Sequence, residues 1–157
     1  MVDLHLETSD YYFDVRTAGI LIRDGKILVQ RDRNGSEYAL PGGHVKRGET
    51  SESCLVREFK EETGAGIQCK RLIWTEECFF QWNGKKVHNL SFYYLIDLCA
   101  GTAIPDEHNF VPHKDNNNVV IGWLPLENLK DIVIYPSFLK SQICNLYAPP
   151  AHFITTD

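Results

Sequence analysis

The chain has 157 residues, 43% of them hydrophobic and 24% charged, with 16 basic and 21 acidic side chains and a net charge of −5. A chain of this length fits a single domain over residues 1–157 that buries its own core without covalent staples. The acidic balance argues against a duplex nucleic-acid binder, whose affinity comes from Lys and Arg on phosphates, but leaves a phosphate-bearing substrate open, because a bound cation reverses the local field.

The opening stretch MVDLHLETSDYYFDVR lacks the basic and apolar regions of a signal peptide and reads as a flexible segment before a core at about 15–147. No apolar run approaches the roughly 20 residues that span a bilayer. Val15 to Arg31 reads as a β-hairpin, with Ala18–Ile22 and Ile27–Val29 as its apolar arms and Asp24-Gly25 as a two-residue turn. Tyr38-Ala39-Leu40 is a short strand, expected to stop in a sharp turn at Pro41-Gly42-Gly43. A helix follows over Ser51–Thr63, with Thr50 as N-cap, Glu52 in the first turn and Gly64 closing it. Helical spacing puts Leu55, Val56 and Phe59 on a core-facing side, with Glu58, Glu61 and Glu62 together on an adjacent side.

Residues 69–82 and 85–98 form a second hairpin about Asn83-Gly84. The segment 99–118 is a long polar loop, of a kind that is often functional. Val119–Leu124 reads as a strand, and 126–131 and 136–146 as short helices, the second with Pro136 near its first position. Residues 148–157 read as a tail. Five cysteines without a CxxC pair read as reduced, scattered thiols of a cytoplasmic protein. The order of elements gives an α+β fold with a mixed, mostly antiparallel sheet.

The chemistry concentrates in GHVKRGETSESCLVREFKEETGA, from Gly43 to Ala65. Carboxylates at i, i+3 and i+4 repel one another, by a few tenths of a kcal/mol per pair. A divalent cation converts that penalty into binding. Hard oxygen donors suit Mg²⁺ or Mn²⁺, which takes one or two carboxylates together with water and phosphate oxygens. A backbone carbonyl at Gly42-Gly43 can approach the same ion, and a spare carboxylate can take a proton from an attacking water. The simpler alternative for such a run is a solvated acidic helix face.

The spacing decides between them. Gly43, Glu49, Arg57, Glu58, Glu61, Glu62 and Gly64 fill all seven fixed positions of the pattern Gly-x5-Glu-x7-Arg-Glu-(apolar)-x-Glu-Glu-x-Gly. Chance gives this on the order of once in a hundred million start positions. The segment resembles the Nudix box, with Phe59 at its first bulky apolar position and the small Ala65 at its second. The resemblance extends over about 15–147, through Leu40-Pro41-Gly42-Gly43 and Trp123-Leu124-Pro125-Leu126.

It implies an α/β/α sandwich with a catalytic loop–helix–loop, and hydrolysis of a nucleoside diphosphate linked to another moiety with Mg²⁺ or Mn²⁺ bound. It implies Glu58, Glu61 and Glu62 as metal-binding and catalytic residues, the Gly42 carbonyl as a backbone ligand, and Arg57 paired with Glu49 to orient the helix. It also implies an acidic residue from a late loop, with Asp115 favoured over Asp106 and Glu107. Substrate contacts are expected from Arg31, Arg33 and His44 on phosphate and from Phe80 and Tyr94 on the base. Phe79, Trp82 and His88 are candidates for the same pocket or for a structural role. The expected partner is a small nucleotide, with no duplex nucleic acid and no membrane, and the protein is expected to be a monomer or homodimer. Two alternatives remain: a catalytically silent nucleotide sensor, and a hydrolase of RNA 5′ ends or caps.

Overall fold

The structure, a computed structural model, describes residues 2–105 and 110–156. Its strands are β1 (His5–Glu7), β2 (Tyr11–Ile20), β3 (Ile22–Arg23), β4 (Lys26–Asp32), β5 (Glu37–Ala39), β6 (Gly42–His44), β7 (Ile67–Trp82), β8 (Lys85–Leu98), β9 (Val111–Pro112), β10 (Val119–Pro125), β11 (Val133–Tyr135) and β12 (Ala151–Thr156). The long helix α1 covers Ser51–Thr63 and a short α2 covers Leu139–Gln142, with 3-10 turns at Leu126–Asp131 and Ile143–Asn145. None of the described helices is long and apolar enough to cross a membrane.

Two mixed sheets organise these elements. The first runs β1-β2-β8-β7-β12, and the second β11-β5-β4-β10-β9. In the first, β7 and β8 form the expected hairpin, turned by Asn83 and Gly84 at φ 49° and 78°. β2 lies parallel to β8, and its other edge is shared end to end by β1 (residues 12–14) and β6 (residues 16–18). In the second, β4 pairs with β10 over its full length.

The expected hairpin of Val15 to Arg31 is split. The Asp24-Gly25 turn is present, at φ 51° and 74°, but it joins only β3 to β4. The residues up to Ile20 belong to the first sheet instead. The chain changes sheets at Leu21, and a local turn signal carries no information about that. The C-terminal residues, expected as a tail, form β12 parallel to β7, with Ala151 and Phe153 packed on the core and the alternate residues outward. The second terminal helix starts at Leu139 rather than Pro136.

Alternation along β4 places the core on both of its faces. Ile27 and Val29 meet Ile20, Ile73, Trp74 and Tyr93 of the first sheet, together with Leu129, Leu139 and Leu146 from the short helical turns. On the opposite side, Leu28 and Ile121 meet Leu55 and Phe59 of α1, with Leu21, Ile67 and Ile96. This is the α+β arrangement expected, with the second helical layer reduced to short turns.

Candidate active site

α1 begins with a reciprocal cap: Thr50 Oγ1 accepts from the Ser53 backbone N–H, and the Ser53 hydroxyl accepts from the Thr50 N–H. It ends at Gly64, in the left-handed region at φ 76°, whose N–H donates to the Lys60 carbonyl. Its buried side is Cys54, Leu55, Phe59 and Glu62. Val56, expected to face the core, is 38% exposed. The stripe follows Leu55, Phe59 and the position three residues on, which rotates it away from Val56. That third position is Glu62, so the three glutamates are not on one solvent-facing side. Glu62 occupies a core position at 6% exposure, Glu58 is largely covered, and Glu61 is open.

Arg57 organises the helix surface. Its Nε and Nη2 donate to both oxygens of Glu49, at 2.7 and 2.9 Å, a fork-to-fork pair. Its Nη1 donates to Glu58 at 2.7 Å and Glu61 at 3.2 Å, and Nη2 reaches the His44 carbonyl at 3.3 Å. The guanidinium hydrogen bond holds the Glu49 carboxyl down at about 2. Burial raises Glu58 despite Arg57.

Facing the helix is β6. Expected as a turn, Gly42-Gly43 is instead a strand pressed onto β2. A Cβ at Gly42 would stand 2.0 Å from the Thr17 carbonyl oxygen, and one at Gly43 would stand 2.3 Å from the Glu58 carboxyl carbon. The glycines are therefore required for close approach. The backbone bonds Gly19 N–H to Pro41 and Val45 N–H to Val15 fix the alternation of this antiparallel pair. By that alternation the carbonyls of Gly42 and His44 point away from β2. Gly42→Ala is expected to lose about 3 kcal/mol of stability, because the obstacle is backbone and cannot rotate aside. Thermal melts against the parent chain check this.

The loop after β9 supplies the third wall. The Lys114 N–H donates to the Glu62 carbonyl at 2.9 Å. His113, 4% exposed, sets Nε2 4.0 Å from Glu62 Oε2 and Nδ1 3.6 Å from Asp115 Oδ1. Both Glu62 Oε2 and His113 Nε2 are buried without a protein hydrogen-bond partner. Burial, then the charges of Glu58 and Asp115, pushes the Glu62 carboxyl up to about 9, and burial lowers His113. Among the described residues no three carboxylates or imidazoles already converge on one point; Glu58 and Glu61 share Arg57 Nη1. The donors present are hard oxygens: an orphaned buried carboxylate, two more on the same helix, Asp115, and the Gly42 carbonyl. That set fits Mg²⁺ or Mn²⁺.

Gly42 also lines a cavity of about 420 Å³ in the first sheet's inner face, with Arg16, Gln30, Glu76, Phe80 and Tyr93. Arg16 acts on Glu62 as a nearby positive charge, which joins cavity and carboxylates electrostatically. It also lies 3.0 Å from His44 Nε2, itself 2.8 Å from the buried Asp14.

The sequence-derived substrate contacts are distributed unevenly around this space. Phe80 lines the cavity and His44 stands at its Arg16 edge. Arg31 donates to the carbonyls of Asp32, Arg33 and Gly35, and Arg33 to that of Asn117, so both secure loops. The Tyr94 hydroxyl bonds Ser51 Oγ at 2.8 Å and ties β8 to the start of α1, outside the cavity lining. Phe79 stacks on His88, also outside it. Asp106 and Glu107 lie outside the described residues. Arg16, Glu76, Tyr93 and His113 carry no local signal in the sequence; the pairing of β2 with β8 and of β8 with β7 is what brings Arg16 and Glu76 to one face.

The family model of the NUDIX domain matches residues 14–141. An ADP-ribose pyrophosphatase of Methanocaldococcus jannaschii is 36% identical over 90 residues, 55% of this chain and 52% of that protein. An RNA pyrophosphohydrolase of Baumannia cicadellinicola is 26% identical over 125 residues, 71% of this chain and 79% of that one. The chain spans about half or less of the length of the relatives it matches at 30% identity or more. Among solved structures, a mutator MutT protein from Bacillus halodurans superposes with a TM-score of 0.62 at 16% identity, covering 91% of this chain and 90% of that one. The E. coli ORF135 protein gives 0.56 at 22% identity, over 87% and 91%. At these identities the structures speak to fold alone.

Proposed function

The chain belongs to the NUDIX domain family, and from that premise we propose that it hydrolyses a phosphoanhydride bond of a small nucleotide, a nucleoside diphosphate linked to a further group, with Mg²⁺ or Mn²⁺. The observation that carries the reading is the position of Gly42. It lines the cavity on one side, while its neighbour Gly43 abuts the Glu58 carboxyl on the other. A nucleotide in the cavity thus places its phosphates at the acidic helix. Glu58, Glu61, Glu62, Asp115 and the Gly42 carbonyl would hold the ion; when bound it neutralises phosphate charge and acidifies a coordinated water.

The chain's own residues do the rest. Arg16, at the cavity edge, binds phosphate oxygens. Arg57 fixes the helix face through Glu49, and holds Glu58 beside the Gly43 backbone. Glu58 is suited to accept a proton, because burial has already raised its affinity for one. His113 and Asp115 enclose Glu62 and keep bulk water from it.

Phosphate release from a panel of nucleoside triphosphates, nucleoside diphosphate sugars and dinucleotides, with Mg²⁺ or Mn²⁺ and with EDTA, tests the proposal. Turnover that EDTA abolishes is expected; nucleotide binding without turnover on any compound would sink it. Gly43→Ala is expected to lose about ten-fold or more in activity with a smaller stability loss than Gly42→Ala, because its added methyl meets a movable Glu58 side chain. The same assay and thermal melts check it.

A further inference from the structure

Glu76 is a buried carboxylate that the hydrolysis itself does not use. It sits on β7 at 4% exposure, on the cavity wall. Its Oε2 accepts the Tyr93 hydroxyl at 2.5 Å, and its Oε1 accepts Thr155 Oγ1 of β12 at 2.6 Å. Both partners are neutral hydroxyls, and each carboxylate oxygen keeps a further acceptor position. One more polar atom of the same lining is buried without a partner, Gln30 Oε1. Such orphans cost about 1–3 kcal/mol each unless something fills the space and pairs with them. Glu76 of β7 and Gln30 of β4 therefore bring unused hydrogen-bonding capacity, rich in acceptors, to one cavity.

The register supplies a ruler. Arg16, Ser91 and Glu76 lie in one row across β2, β8 and β7, and Arg16 pairs on its other side with His44 of β6. From β6 to β7 is three strand steps, roughly 14 Å. That is comparable with an extended nucleoside diphosphate from phosphate to base edge. With phosphates at β6, the base reaches Glu76, and Phe80 and Tyr93 provide aromatic surface there.

We infer that Glu76 selects the base, and that the cavity takes nucleotides whose base presents two adjacent N–H donors, the ring N–H and exocyclic amino group of a guanine-type base. The inference deepens the nucleotide reading given above and rests on it. A carboxylate only accepts hydrogen bonds. The guanine edge meets it with two parallel N–H bonds. Adenine and cytosine set a ring-nitrogen lone pair beside the amino group, and uracil flanks its single N–H with carbonyls, so each of these opposes an acceptor to an acceptor. Thr155 and Tyr93 are positioning residues, which hold the carboxylate in plane.

Binding of GDP, IDP, ADP and UDP to the full chain with Mg²⁺, measured by calorimetry, tests this apart from turnover. GDP is expected to bind at least ten-fold more tightly than IDP, which lacks the amino group, and than ADP or UDP. Glu76→Gln is expected to reverse the GDP-to-ADP preference, since a carboxamide accepts from the adenine amino group and donates to its ring nitrogen. Thr155→Val, a milder change at the edge strand, is expected to shrink the GDP preference several-fold without altering ADP binding. Equal affinity for the four, or a GDP preference unchanged in both variants, overturns the inference. Guanine-selective binding in a chain that turns over no nucleotide would overturn the hydrolase reading and leave the base assignment standing.

Discussion

Glu62→Gln is expected to lower turnover at saturating metal by about 10³-fold while raising the stability of the metal-free protein at alkaline pH. The loss follows from removing the buried anionic oxygen of the proposed ion-binding set; a carboxamide of the same shape keeps the packing and loses the charge. The gain follows from burial. The carboxyl, ordinarily at 4.5, is pushed up to about 9 in the folded protein. A raised folded value favours the protonated form, so the contribution of this group is fully present below about pH 4.5 and is lost as pH rises toward 9. The substituted carboxamide cannot ionise and escapes that loss. The advantage of the variant should be absent at pH 4.5 and reach on the order of 2–4 kcal/mol near pH 8.5. Denaturant unfolding of both proteins in EDTA from pH 4.5 to 9 checks the slope, and phosphate release checks the rate. Added Mg²⁺ should stabilise the parent and not the variant. A variant that keeps parental turnover would remove Glu62 from the site.

Arg57→Ala is expected to destabilise the fold by about 3–5 kcal/mol, the largest loss for a single side chain in the site. The guanidinium pairs with Glu49, Glu58 and Glu61 together, and the first two are largely buried. Its removal leaves two covered carboxylates without their guanidinium, Glu49 keeping the Lys46 backbone N–H, and an uncompensated buried charge costs more than the pair contributed. The pH dependence runs opposite to that of Glu62. Glu49 is held down at about 2, so its contribution is present above 4.5 and lost as pH falls toward 2. The gap between parent and variant should therefore be widest above pH 5 and narrow in acid. Arg57→Lys restores one charge but not the fork, and should recover less than half of the loss. Urea unfolding at pH 7 and pH 3 measures both. A gap that does not change between those values would show that Arg57 acts by packing alone.

Much of this molecule is readable in local chemistry. The helix ends are set by Thr50 and Gly64, and the two tight turns by Asp24-Gly25 and Asn83-Gly84. The order of strands follows from short apolar runs between breakers. Helical period brings Glu58, Glu61 and Glu62 to neighbouring positions on α1, whereas the pairing of Arg57 with Glu49, which lies before the helix, is implied by the resemblance to the Nudix box.

Other features depend on partners far away in the chain. Glu62 looks like its exposed neighbours in the sequence; it is buried because it continues the Leu55–Phe59 side of α1 and the His113–Asp115 loop closes over it. Gly42 and Gly43 read as a turn, yet they are a strand held against Thr17 and Glu58. The last residues read as a tail until β7 offers them an edge, which brings Thr155 to Glu76. Local propensity acts over one turn of helix or one pleat, so the sequence by itself determined the elements and the acidic group. Only the long-range pairing of two sheets decided which polar groups lost their water, and that loss sets the proton affinity of Glu62 and turns Glu76 toward the cavity.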